Sequence, residues 1–105
     1  MGRTQSLKKN LTAFKNRVNA SIPIDKMILF GSGATGDAGK DSDIDLIIVS
    51  RKFNGLDFFQ RGAKMYDYWG MCAAVDFLCY TPKEFDKLKK QVSIISEALK
   101  YGVMV

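Results

Sequence analysis

The chain contains no histidine, and that absence removes several chemistries at once. Neither a Ser-His-Asp triad, nor a Cys-His pair, nor a histidine-ligated zinc can be assembled from these 105 residues. Cysteine is scarce as well: Cys72 and Cys79 are too few for a zinc site and are not a C-x-x-C pair. If residues 73–80 form a strand, both are expected to act as small apolar fillers. Long apolar runs are missing, so no segment has the length to span a bilayer. Residues 1–21 carry lysines throughout and lack the continuous apolar segment of a signal peptide. The expected setting is therefore soluble, reducing and cytoplasmic, with no membrane partner.

What is present bounds the rest. A length of 105 residues predicts one domain, 1–105, able to bury a single core but marginally stable alone. Sixteen Lys and Arg against eleven Asp and Glu leave a net charge of +5. That excess attracts polyanions such as nucleotides, tRNA or an acidic partner. It is too modest and dispersed to diagnose a direct nucleic-acid binder. Lys8-Lys9, Arg51-Lys52 and Lys89-Lys90 read more simply as solvated faces.

Leu7, Leu11, Phe14 and Val18 recur at helical spacing and predict an amphipathic helix. Lys26 to Phe30 is a short apolar run stopped by glycine, and Asp43 to Ser50 is a β-branched run with an acidic start; both predict strands. Between them, residues 31–42 are a loop rich in Gly, Ser and Asp. Gly55 breaks the chain, and Phe58, Phe59, Ala63, Met65, Tyr66 and Trp69 suggest a second helix, with Gly70 near its end. Residues 73–80 predict a third strand holding one charge, Asp76. Thr81-Pro82-Lys83-Glu84 combines a cap, a proline at the first helical position and a capping box. Phe85, Leu88, Val92, Ile95 and Leu99 extend that helix, with a break expected near Gln91, and Val103 to Val105 predict an edge strand. The result is an α/β (α+β) domain: a small mixed sheet flanked by helices.

The loop after the first strand admits two readings. Gly31, Gly33 and Gly36 match G-x-G-x-x-G. A dinucleotide fold, however, needs a crossover of a dozen or more residues before the next strand, and only six residues separate Gly36 from Asp43. Gly39-Lys40 fails as a phosphate-binding P-loop, with Ala34 and Asp41 at positions that need Gly and Ser or Thr.

The carboxylates suit a different chemistry. Asp43 and Asp45, two apart on a strand, point to one face and repel each other without a counter-charge. A hard divalent cation such as Mg2+ supplies it. Asp76 is an unpaired charge in an apolar strand and needs a cation or strong donors. If the third strand neighbours the second, three carboxylates converge beside the Gly-Ser loop. One or two metal ions there would serve an in-line phosphoryl displacement.

Gly31-Ser32, ten residues, then Asp43-Ile44-Asp45 is the G-S-x10-D-x-D pattern of the nucleotidyltransferase superfamily related to DNA polymerase beta. Leu29-Phe30-Gly31-Ser32, Ser42 to Leu46 and Val75-Asp76-Phe77 resemble its minimal, stand-alone branch (MNT). That resemblance implies Mg2+ on Asp43, Asp45 and Asp76, the three catalytic carboxylates. It implies a nucleoside triphosphate, ATP, positioned by Asp43 and Asp45, with its phosphates contacted by Gly31 and Ser32. It further implies attack of an acceptor hydroxyl on the α-phosphate, Asp76 helping to deprotonate it, and pyrophosphate release. Relatives of this size are commonly paired with a helical HEPN-domain protein, and some act as antitoxins that transfer AMP to a tyrosine of a HEPN toxin.

Many relatives carry arginines where this chain has Gly33 and Thr35, leaving Lys40 as the nearest basic residue. Two functions from different classes follow: a nucleotidyltransferase, or a catalytically weak or inactive subunit that binds and neutralises a helical partner. Either implies a partner, in a homo- or hetero-oligomer. An apolar stripe left exposed on the first or last helix is the expected contact surface. Tyr66, Tyr68 and Trp69 are expected to pack into the core rather than stack on a base.

Overall fold

The computed structural model describes residues 3–30, 44–70, 74–91, 100 and 102–105, with side chains described from residue 7 onward. Helix α1 runs over Arg3–Asn19, and its predicted stripe faces inward, with Leu11, Phe14 and Val18 fully buried. The chain turns back where the amides of Ser21 and Ile22 both donate to the carbonyl of Val18. Asn19 Oδ1 accepts from the Ile24 amide at 2.9 Å, which steers the backbone into strand β1, Lys26–Phe30.

Strand β2, Ile44–Val49, lies antiparallel to β1. Ser50 then caps a short 3-10 turn, Arg51–Phe53, by accepting from the Lys52 amide. Gly55 adopts φ +85°, a left-handed conformation that favours glycine, and so lets the chain reverse into helix α2, Phe58–Tyr66. Asp57 and Gln60 form a reciprocal capping box at its start. The helix ends at Tyr66 rather than at Trp69. A turn follows, with the amides of Tyr68 and Trp69 bonding to Met65 and Tyr66. It swings Trp69 edge-on to both Phe14 and Phe77.

Strand β3, Val75–Tyr80, runs parallel to β2. Thr81, Pro82 and Glu84 start helix α3, Pro82–Lys89, with the predicted capping box. Strand β4, Val103–Met104, pairs antiparallel with the outer side of β1. The sheet order is β3-β2-β1-β4, so its interior strands, β2 and β1, are the two most buried. Among the described residues no helix is long and apolar enough to cross a membrane.

Period-two alternation divides the sheet between two cores. One face presents Met27, Leu29, Leu46, Ile48 and Phe77 to α1, Phe53 and Met65. The opposite face presents Ile28, Ile47 and Val49 to Phe85 of α3. Leu88 packs partly buried against that second cluster, and residues 92–99 of the predicted last helix lie outside the described residues. The basic pairs Lys8-Lys9, Arg51-Lys52 and Lys89-Lys90 are all exposed.

Candidate active site

The face that carries Ile47 and Val49 has a different character at the start of its strands. Alternation places Asp45 on that face of β2 and Asp76 on the same face of β3. Register makes them direct partners: Asp45 lies opposite Asp76 on one side and Phe30 on the other. The Ile44 amide, donating to the Ala74 carbonyl at 2.9 Å, locks that register at the strand ends. Adjacent strands lie about 4.8 Å apart, so two carboxylates in register are close enough to repel.

Asp45 is half-buried and Asp76 exposed. Two neighbouring hard-oxygen donors at a solvent-facing edge fit a divalent cation. Gly31, Ser32 and Asp43 lie outside the described residues, so the pair Asp45–Asp76 is the described part of the predicted constellation. Among the described residues, no group of three potential metal ligands converges.

Asp76 also lines a cleft of about 370 Å³ between β3 and α2, together with Phe58, Phe59, Gly62, Ala63 and Tyr66. Among the described residues, the large apolar side chains exposed on a helix are those of α2, while residues 92–99, where the last helix is expected to carry such a stripe, lie outside the described residues. The stripe of α1 is consumed by the core, and Phe85 of α3 is buried. Tyr66 likewise departs from the expected core position. It is 53% exposed and turns its hydroxyl back to donate to the Val75 carbonyl at 2.6 Å. Tyr68 and Trp69 do pack against the core, as expected.

At the other end of β3 stands a group that sequence reasoning passed over. Arg61 of α2 is 8% exposed. Its Nε donates to the carbonyls of Phe53 and Leu56, and its Nη1 to the Cys79 carbonyl and Glu84 Oε1 at 3.0 and 2.7 Å. Nη2 completes a forked pair by donating to Glu84 Oε2 at 3.3 Å. One side chain thereby ties α2, the 3-10 turn, β3 and α3 together. The available signal was its position four residues before Met65, on the buried stripe of α2.

The titratable groups there follow from this packing. The hydrogen bond from Arg61 holds the Glu84 carboxyl below its ordinary range, against a smaller opposing effect of burial. Burial pushes the Cys79 thiol up to about 12, only partly offset by the nearby guanidinium. Cys79 is therefore the inert apolar filler expected of it, while Cys72 lies outside the described residues. Burial, and then the neighbouring Cys79 and Glu84, raise the Tyr80 phenol.

The comparisons agree with this architecture. A candidate nucleotidyltransferase from Sulfolobus solfataricus superposes with a TM-score of 0.67 at 22% identity, covering 96% of this chain and 80% of that one. BolA1 from Arabidopsis thaliana superposes with a TM-score of 0.53 at 16% identity, over 70% of this chain and 92% of its own. At such identities the likeness is one of fold. No curated protein matches the sequence significantly. The family model of the nucleotidyltransferase domain, however, matches residues 7–104, nearly the whole chain. With that match spanning both β2 and β3 and the carboxylates they carry, the chain belongs to the nucleotidyltransferase domain family.

Proposed function

We propose that the chain is a Mg2+-dependent nucleotidyltransferase of the minimal, stand-alone branch, moving AMP from ATP to an acceptor hydroxyl on a protein partner. The observation that carries this reading is the in-register pair Asp45–Asp76 on one face of adjacent parallel strands. With Asp43 at the head of β2, these carboxylates would hold one or two Mg2+ ions. When bound, the metal would offset the charge of the phosphates and of the carboxylates themselves. Gly31 and Ser32, just after β1, would cradle the phosphates through backbone N–H groups and the serine hydroxyl.

The acceptor oxygen would bond to the α-phosphorus as the bond to pyrophosphate breaks, and Asp76 would take the hydroxyl proton. By resemblance to relatives of this size, the acceptor would be a tyrosine of a helical HEPN-domain protein, and the chain its antitoxin. A second reading draws on the aromatic surface of α2 and on Gly33 and Thr35 standing in place of arginines. In it, the chain is a binding subunit with weak or no catalysis, neutralising the same partner.

Incubation with labelled ATP, Mg2+ and the helical partner separates the two. Label transfer by wild type that is lost in Asp43→Ala/Asp45→Ala supports the enzyme. Partner binding that survives the double substitution, with no transfer by either protein, leaves the binding subunit.

A further inference from the structure

The net charge of +5 reads as thinly spread along the sequence, but one element carries it. Residues 1–24 hold five cations (Arg3, Lys8, Lys9, Lys15 and Arg17) and no carboxylate, while the remaining residues hold eleven cations and eleven carboxylates, which cancel. Helix α1 therefore lacks the acidic first turn that its dipole favours. Its apolar stripe is buried, and Lys8, Lys9, Asn10, Thr12, Asn16 and Arg17 face outward, all exposed. Lys15 instead turns back to donate to the Val105 carbonyl at 2.8 Å. A cation in a last helical turn complements the carbonyl end, which is reason enough for Arg17. Lys8 and Lys9 stand in the first half of the helix and have no such reason.

The cations continue past the end of α1. Lys52 of the 3-10 turn and Lys64 of α2 line one pocket of about 230 Å³ with Ser21, Ile22 and the buried Phe53. No carboxylate is among the described residues that line it, and neither lysine has an ion-pair partner among the described residues. Like charges gathered this way work against each other until an anion joins them. Arg17 links helix and pocket. It stands one turn before Ser21, and its Nη2 donates at 3.2 Å to the carbonyl of Tyr68, four residues after Lys64. The pocket lies on the α1 face of the sheet, beyond the end of β2. Asp45 and Asp76 lie at the other end of their strands and on the other face.

The chemistry of this surface selects its partner. A protein interface buries an apolar centre from which lysine is depleted. None of the large apolar side chains exposed among the described residues belongs to α1. Insertion into a membrane surface needs an apolar helix face, and the core has consumed that of α1. Lysines, an arginine, hydroxyls and amides together are the contact set of a nucleic-acid backbone. The exposed rings of α2 line the cleft beside Asp76 rather than this pocket, so the cations adjoin no described platform for stacking unpaired bases. At 1.5 Å per residue α1 is about 25 Å long, the rise of roughly seven base pairs, and can follow several phosphates of a duplex.

We propose that the outward face of α1 and the pocket between Lys52 and Lys64 form a docking surface for the phosphate backbone of a nucleic-acid duplex, engaged without regard to base sequence. The surface needs neither the metal nor the nucleotide of the transfer reaction, and stands or falls apart from that reading.

The test is fluorescence anisotropy of two labelled DNA duplexes of unrelated sequence, titrated with the full chain in EDTA at several salt concentrations. Both duplexes should bind alike. With Lys8, Lys9, Arg17, Lys52 and Lys64 on phosphates, log affinity should fall against log salt with a slope of about −4. Lys8→Gln/Lys9→Gln and Lys52→Gln/Lys64→Gln should each weaken binding to both duplexes and make that slope shallower by about 2. Lys89→Gln/Lys90→Gln removes the same charge from the α3 side and should leave affinity within about twofold at physiological salt. All six lysines are exposed, so the three variants should melt close to wild type.

An equal loss of affinity in Lys89→Gln/Lys90→Gln would overturn the proposal, because net charge alone would then account for binding. A slope near zero, or no binding of either duplex, would overturn it too. Tighter binding of a single-stranded oligonucleotide would point to stacking in place of backbone docking and sink the duplex claim. Poly-L-glutamate competing as well as a duplex at equal charge would make an acidic protein the partner. Capture by equimolar phosphatidylcholine–phosphatidylserine vesicles in preference to the duplexes would make it a membrane. Either result rejects nucleic acid.

Discussion

Strands β2 and β3 run side by side, and their two ends handle negative charge in opposite ways. At the carboxyl end, beyond Tyr80, the carboxylate of Glu84 meets a buried guanidinium and the amide of Thr81. The guanidinium, the carboxylate and the threonine there all have defined partners, and the result is a clamp between helices. At the amino end, Asp45 and Asp76 face each other as like charges across the ladder. That arrangement works against the fold unless a cation or donor intervenes. A protein uses the first pattern to hold elements together. The second is an arrangement of hard oxygen donors that suits a bound divalent cation.

The contrast can be broken first at the clamp. Arg61→Met should cost about 2–3 kcal/mol of unfolding free energy in urea, because it removes the donor shared by three backbone carbonyls and the Glu84 carboxylate. A loss within a few tenths of zero would show that α2 is held by its apolar contacts alone. Thr81→Ala removes the cap that accepts from the Glu84 amide and should cost about 1 kcal/mol. Its effect should be non-additive with Arg61→Met, since both act through Glu84.

Acid offers a gentler way to open the same clamp. The Glu84 carboxyl titrates below its ordinary value in the folded chain, so the unfolded chain binds the extra proton first. Its stabilisation is therefore fully present above the ordinary glutamate range, about 4.3, and is lost as pH falls from there through the lowered folded value. Glu84 is half-exposed, so the contribution should stay below about 1 kcal/mol. In Glu84→Gln, this part of the pH dependence should disappear from urea midpoints measured between neutral and acid pH.

The amino end should respond with the opposite sign. Without divalent cations, Asp76→Asn should stabilise the chain by about 0.3 kcal/mol by relieving the repulsion with Asp45. Adding Mg2+ should then raise the melting temperature of wild type and leave the variant nearly unmoved. Equal Mg2+ shifts in both proteins would remove Asp76 from any metal site.

Much of this was readable from residue order. The stripe of α1, the capping box at Thr81 and the apolar runs of β1 and β2 are local patterns. Local patterns survive because the helical and extended periods are backbone properties. Helix α2 ends three residues before Trp69, although Tyr66 and Trp69 suit a helical stripe equally well. Only the packing of Trp69 against Phe14 and Phe77 decided that the chain should turn first. Arg61 carries only a faint signal, its place on the buried stripe of α2, for a related reason. An arginine in a helix ordinarily stays in water, and nothing local announces that three carbonyls and a carboxylate await it.

The sequence by itself determined the types of the main elements and the inertness expected of Cys79. It also carried the family, through the spacing of Gly31-Ser32 from Asp43 and Asp45. What only the tertiary structure decided is adjacency. Asp45 and Asp76 are thirty-one positions apart in the chain, and the parallel ladder of β2 and β3 makes them neighbours. The same ladder, with α2 folded beside its outer strand, sets the exposed Asp76 on the lining of an aromatic cleft. The physical reason is that strand pairing is a contest among long-range alternatives, settled by how all the apolar faces are buried together, which no single segment encodes.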